Sequence, residues 1–152
     1  MRDVYQKLRE LGHELPPPPP PGGIYKPVRQ VGNLLYVSGQ GSTVAGVPVI
    51  VGKVGEACDV EQGQTAARMC ALNALAVLHD ALGDLNRIKS VVKTLGFIAS
   101  APGFNKQPMV LNGCSGLLRE LFGEDGVGAR SAIGTNELPE GITCEVEFIF
   151  EI

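Results

Sequence analysis

The sequence predicts an α+β domain in which a mixed β-sheet carries two helices on one face. Two observations point there. Small and apolar residues recur at helical spacing in two separate stretches. Around them lie short runs rich in β-branched residues, bounded by glycine, proline and asparagine. The order along the chain reads β-β-β-α-β-α-β-β. Packing both helices on one side of one sheet is the economical way to bury their stripes. At 152 residues the chain has the length of one domain. A chain of that size buries roughly 70% of its unfolded surface, so it needs neither disulfides nor metal to fold.

Residues 3–15 carry Val4, Leu8 and Leu11, a short helical stripe with charged residues between. Residues 16–21 are six consecutive prolines, followed by Gly22-Gly23. Such a run forms a stiff polyproline II segment about 19 Å long. It serves either as a spacer holding the N-terminal helix in place or as a docking site for a proline-reading domain. The organisation read from this is an N-terminal helix and polyproline spacer over residues 1–23, then a body over 24–152. In the body, residues 28–31 and 34–39 flank Gly32-Asn33, a two-residue hairpin signal. Residues 47–54 read as a further strand. Asp59 offers a helix N-cap with Gln62 as capping-box partner. From there Ala67, Cys70, Ala71, Ala74, Leu78 and Ala81 form a small-residue stripe ending near Gly83. Residues 88–100 read as a long strand, broken by Ala101-Pro102-Gly103. A second helix follows with Val110, Gly113, Cys114, Leu117, Leu118 and Leu121 on one side. Residues 129–136 and 143–152 read as the last two strands. In the final one Cys144, Val146, Phe148 and Phe150 alternate with Glu145, Glu147 and Glu151.

The net charge of −3 and the pI near 5.4 argue against a dedicated nucleic-acid binder, which normally presents a basic surface. Cys58, Cys70, Cys114 and Cys144 form no CxxC pair and no metal-ligand spacing with the histidines. They read as buried free thiols, which suits a reducing, cytoplasmic setting. No stretch has membrane-spanning length and no signal-peptide pattern is seen. Phosphate-loop and HExxH motifs are absent, and His13 and His79 read as solvated.

The informative stretch is Gly128-Ala129-Arg130-Ser131-Ala132-Ile133-Gly134. A guanidinium among small residues near a strand start is poorly suited to a core, because it has five donors and keeps its charge. If it points inward it needs an anion. Two readings remain open: an ion pair with Glu145, if the last two strands form a hairpin, or a ligand carboxylate.

Several segments, in order, resemble the reactive-intermediate deaminase (RidA/YjgF-type) family. They are Tyr25 ahead of Ser38-Gly39-Gln40; Ala66-Ala67-Arg68 and Asn73-Ala74-Leu75 on the first long helix; Asn112 on the second; Ala129-Arg130-Ser131-Ala132-Ile133 with Leu138-Pro139; and Glu145-Val146-Glu147. Val54-Gly55, Phe97-Ile98-Ala99-Ser100 and Asn112-Gly113-Cys114-Ser115 resemble a bacterial-type subgroup. The resemblance implies a chorismate-mutase-like fold, a homotrimer with clefts between subunits, and hydrolysis of 2-imino or enamine acids to 2-keto acids and ammonia. It implies that Arg130 grips the substrate carboxylate, that Glu145 handles protons with a water, and that Tyr25, Gly39, Asn112 and Ala132 line the substrate site. No metal or organic cofactor is implied. Two positions depart from the family pattern: Ala132 stands where cysteine is frequent, and Ser115 where an aromatic is common. A non-catalytic carboxylate binder and an endoribonuclease are the other classes consistent with the resemblance.

Overall fold

Asp59 starts the longest helix by a reciprocal pair of hydrogen bonds. Its carboxylate accepts from the Gln62 N–H at 2.8 Å, and the Gln62 side chain accepts from the Asp59 N–H at 2.9 Å. The structure is a computed structural model describing residues 1–152. It comprises α1 (Val4–Glu10), β1 (Val28–Val31), β2 (Leu34–Gly41), β3 (Thr43–Val44), β4 (Val47–Pro48), α2 (Val60–Leu82), β5 (Ser90–Ala99), α3 (Gln107–Phe122), β6 (Ala129–Thr135) and β7 (Cys144–Glu151). The capping box therefore opens α2, and Gly83 closes it in the left-handed conformation at φ 79°.

The main sheet runs β1-β2-β7-β5-β6. Its pairs are antiparallel except β5–β6, which is parallel and joined by α3 as the crossover helix. Both long helices cover one face of this mixed sheet, α2 over β2 and β7, α3 over β5 and β6. The α+β architecture is thus as the sequence predicts. Leu35, Val37, Ile98, Val146, Phe148 and Phe150 meet Ala67, Cys70, Ala74, Leu78, Val110 and Leu118 in the core between. The two helices approach closely. A Cβ on Gly113 would stand 2.0 Å from the Gln64 carbonyl oxygen, so only glycine fits there.

Three features differ from the sequence reading. First, β6 and β7 do not pair. β5 lies between them, because the α3 crossover brings β6 parallel to β5 at the sheet edge while β7 enters the centre. Second, residues 47–54 are not one strand. Only Val47–Pro48 pairs, with Thr43–Val44, and the chain then turns at Gly52 (φ 101°) and Gly55 (φ 93°). Val51 and Val54 contribute isolated bridges to Ile142 and to Ser100. Third, the outer face of β7 is more than the glutamates Glu145, Glu147 and Glu151 read from the alternation. Ile149 lies beside Glu147 and Glu151, opposite Tyr36 and Lys93, and the same face carries Leu95, Phe97 and Ile133.

The N-terminal helix belongs to the same core. Val4 and Leu8 are fully buried within the main cluster. Arg2 lies over the Phe122 ring and donates to the Ile88 carbonyl. Asp3 caps α1 by accepting from the Tyr5 and Gln6 N–H groups. The proline run then passes along the body, with Pro20 against Gly46 and Pro18–Pro21 beside Val77 and Ala81. No helix is long and apolar enough to cross a membrane.

Candidate active site

Arg130 sits on the edge strand β6 opposite Thr94, which in turn faces Phe148 of the core, so its side chain points to the helix-covered side. There it meets α3. One terminal nitrogen, Nη1, donates to Asn112 Oδ1 at 2.8 Å and to Ser115 Oγ at 3.1 Å. The other, Nη2, donates to the Pro108 carbonyl at 3.0 Å. All three partners are neutral. The ion pairs of the chain are Lys7–Glu10, Lys53–Glu137 and Arg119–Glu124, and none involves Arg130. The half-buried guanidinium is therefore fixed in direction but not neutralised. Nε–H and one Nη2–H remain free, the number of donors that a bidentate carboxylate takes. Arg130 borders a cavity of about 380 Å³ lined also by Thr94, Asn112, Ser115, Gly116, Arg119, Gly126, Val127 and Gly128.

Glu145 occupies a different place. On β7 it lies opposite Gly41 and Phe97, on the face away from Cys144 and Val146. Its carboxylate covers Gly39, where a Cβ would stand 2.9 Å from Oε2, so any other residue at 39 would push the acid aside. Gly39 is presented by the irregularity in β2 between Val37 and Gln40, a break that tilts Ser38-Gly39 out of the ladder. Burial raises the Glu145 carboxyl above the usual carboxylate range, and Glu147, two residues on along the same face, raises it further. Tyr25 and Gly39 share with Glu145 a cavity of about 150 Å³ walled by Pro19, Pro20 and Pro21. The Tyr25 hydroxyl accepts from the Gly22 N–H at 2.9 Å.

The six residues singled out from the sequence thus fall into two groups. Arg130 and Asn112 touch, and Ala132 follows two residues after Arg130 on the same side of β6, packed against the core. Tyr25, Gly39 and Glu145 form the second group on the opposite side of the sheet. Within one chain β5 separates them, and the ion pair between Arg130 and Glu145 is not made. Ser115, Thr94 and the Pro108 carbonyl were not legible as partners of Arg130. The one available signal was the polar stripe Asn112, Ser115, Gly116 and Arg119 at i, i+3, i+4 and i+7, on the side of α3 away from its apolar residues. Cys114 lies close by, but burial, then Cys144, holds its thiol well above the ordinary range, which keeps it protonated and unreactive.

A protein-family model described as "YjgF/chorismate mutase-like, putative endoribonuclease" matches residues 6–152. The chain belongs to the RidA/YjgF family. The match begins inside α1, in keeping with the burial of Val4 and Leu8. Among its relatives, Protein TCP17 of Trypanosoma cruzi is 40% identical over 98% of this chain and 94% of its own length. The crystal structure of Atu1372 from Agrobacterium tumefaciens superposes with a TM-score of 0.90 at 43% identity, over 98% of this chain and 91% of that one. A crystal structure named RidA, from the Antarctic bacterium Psychrobacter sp. PAMC 21119, superposes at a TM-score of 0.62 with 25% identity, over 88% of this chain and 93% of that one. The RidA fold is shared throughout, while its elements are arranged more like those of the Agrobacterium protein.

Proposed function

We propose that this protein hydrolyses 2-imino acids, or their enamine tautomers, to 2-keto acids and ammonia, in clefts between the subunits of a homotrimer. The observation that carries this reading is the guanidinium of Arg130. It is oriented by three neutral oxygens, has no carboxylate partner, and opens on a cavity. A group so arranged is preorganised for a small carboxylate.

With the carboxylate held by Arg130, water adds to the imine carbon. The new C–O bond forms as the C=N pair moves to nitrogen, giving a carbinolamine. Glu145 accepts the proton lost by water and returns it to nitrogen. Glu145 then takes the carbinolamine hydroxyl proton and delivers it to nitrogen, so the C–N bond breaks, ammonia leaves, and the C=O bond closes. Burial and Glu147 raise the affinity of Glu145 for protons, which suits it to give a proton back as well as take one. Nothing is oxidised, and the scheme calls on no cofactor.

Arg130 and Glu145 stand on opposite sides of the sheet in one chain, so they act together only when a second copy supplies one of them. The exposed apolar residues Tyr36 and Ile133 on the open face favour such an assembly. A cytoplasmic setting accords with four free cysteines, all buried. RNA cleavage is the weaker reading. The chain is acidic, and of its two histidines His79 is engaged with the Tyr5 hydroxyl at 2.7 Å.

The test is turnover of an imine generated in solution by an amino-acid oxidase, with and without protein. Light scattering on the same sample gives its mass. Accelerated keto-acid release by a trimer supports the proposal. Saturable keto-acid binding without acceleration leaves a carboxylate-binding protein instead.

A further inference from the structure

We infer that the substrate carries a second acidic group, a 2-imino dicarboxylate of glutamate-like length, with Arg119 receiving the distal carboxylate. The inference rests on the deaminase reading and specifies its substrate.

Asn112, Ser115 and Arg119 lie on one stripe of α3. Arg130 bonds to the first two, at 2.8 and 3.1 Å. Arg119 stands one turn past Ser115, about 6 Å further along the helix axis. Both arginines border the same cavity of about 380 Å³. The facing wall is backbone. A Cβ on Gly126 would lie 2.1 Å from the Leu118 carbonyl oxygen and one on Gly128 2.5 Å from that of Val91, so this wall carries almost no side chains.

Two features of the lining set the chemistry. No Asp or Glu borders the cavity, and its single apolar residue is Val127. An aliphatic side chain, such as that of an imine derived from leucine, would find almost nothing apolar to contact. A carboxylate would find a guanidinium. Arg119 is engaged only at the surface, with Glu124 at 3.2 Å, and the two side chains are 67% and 82% exposed. A pair so exposed yields readily to a better-placed anion. The reaction stays balanced as before: water adds across the imine, C=N becomes C=O, and ammonia leaves with the distal carboxylate unchanged.

The test uses the full-length protein and two probes, 2-oxoglutarate and 2-oxobutyrate, titrated by calorimetry. Imines made in solution from glutamate and 2-aminobutyrate give the matching turnover. The five-carbon diacid should bind at least about tenfold tighter than the monoacid. Arg119→Gln should collapse that ratio towards unity, and Arg119→Lys should restore part of it. A ratio unchanged by Arg119→Gln, or a wild-type preference for the monoacid, overturns the inference while leaving the deaminase reading intact. Absence of binding and turnover with both probes overturns the deaminase reading itself, and this inference with it.

Discussion

The helix-covered side of the sheet holds Arg130 among neutral oxygens, whereas the open side holds Glu145 over a glycine with a second carboxylate nearby. The first arrangement preserves a positive charge and aims it. The second makes a negative charge harder to keep. Each half is poorly balanced alone, and each has what the other lacks. A cation with spare donors suits an anionic substrate, and an acid biased towards its protonated form suits proton exchange. Under the proposed reaction, this difference assigns one chemical group to each side and calls for a second copy to bring them together.

The largest expected effect comes from breaking the cationic half. Two charged hydrogen bonds to a ligand carboxylate, at roughly 1.5–3 kcal/mol each, correspond to at least about a hundredfold loss of turnover in Arg130→Ala. Arg130→Lys keeps the charge but loses the planar fork, and should lose about tenfold or more. Melting should move little in either variant, because Arg130 stabilises no buried carboxylate. A variant that melts early yet turns over normally per folded molecule would sink the assignment.

The separation of the two halves gives the next test. Arg130→Ala and Glu145→Gln should each be inactive alone. Co-expressed or refolded together, they should regain about a quarter of wild-type activity if each cleft draws its arginine and its acid from different subunits of a random trimer. No recovery in a mixed oligomer of confirmed composition would mean that both groups of a site come from one chain.

The third effect concerns stability. Val4 and Leu8 are buried in the main core, and burial of such side chains contributes about 1.5–3 kcal/mol each. Leu8→Ala should therefore cost about 2–5 kcal/mol in chemical denaturation. Removing residues 1–21 should destabilise the body and also open the Glu145 cavity, whose wall includes Pro19–Pro21. A truncated chain with unchanged stability would show that α1 is dispensable after all.

Legibility followed the range of the interactions. The Asp59/Gln62 capping box, the Gly32-Asn33 hairpin and the alternation along β7 are local patterns, and each is present. The position of β5 between β6 and β7 is not local. It follows from the α3 crossover, which no spacing near Arg130 records. A hairpin of the last two strands would put Glu145 next to Arg130, whereas Asn112 and Ser115, visible in the sequence only as site positions, are the residues that bond to it. The core role of α1 was hidden for a related reason. Val4 and Leu8 are too few to mark a packed helix, and the proline run after them looks like a linker until its contacts with Gly46 and α2 are seen.

The smallest expected effect is also the most discriminating for the acidic half. Burial and Glu147 disfavour the charged form of Glu145, so its folded-state pKa lies above its unfolded one. Below about pH 4, near the unfolded value, the group is protonated in both states and costs nothing. As pH rises from there through the folded pKa, the unfolded chain gives up its proton first, and the wild type loses stability. Glutamine does not titrate. Glu145→Gln should therefore match the wild type in acid and exceed it in melting temperature at neutral pH, while turnover falls. The gain should be modest, since the carboxyl is only half-buried and solvent screens it. Melting curves for both proteins from pH 3.5 to 8 give the comparison. The opposite sign, with the wild type gaining stability as pH rises, would mean that a donor from a neighbouring copy holds the carboxylate even without substrate. Arg130 of that copy would be the first candidate, and the acid would then serve to pair the two halves before any proton is moved.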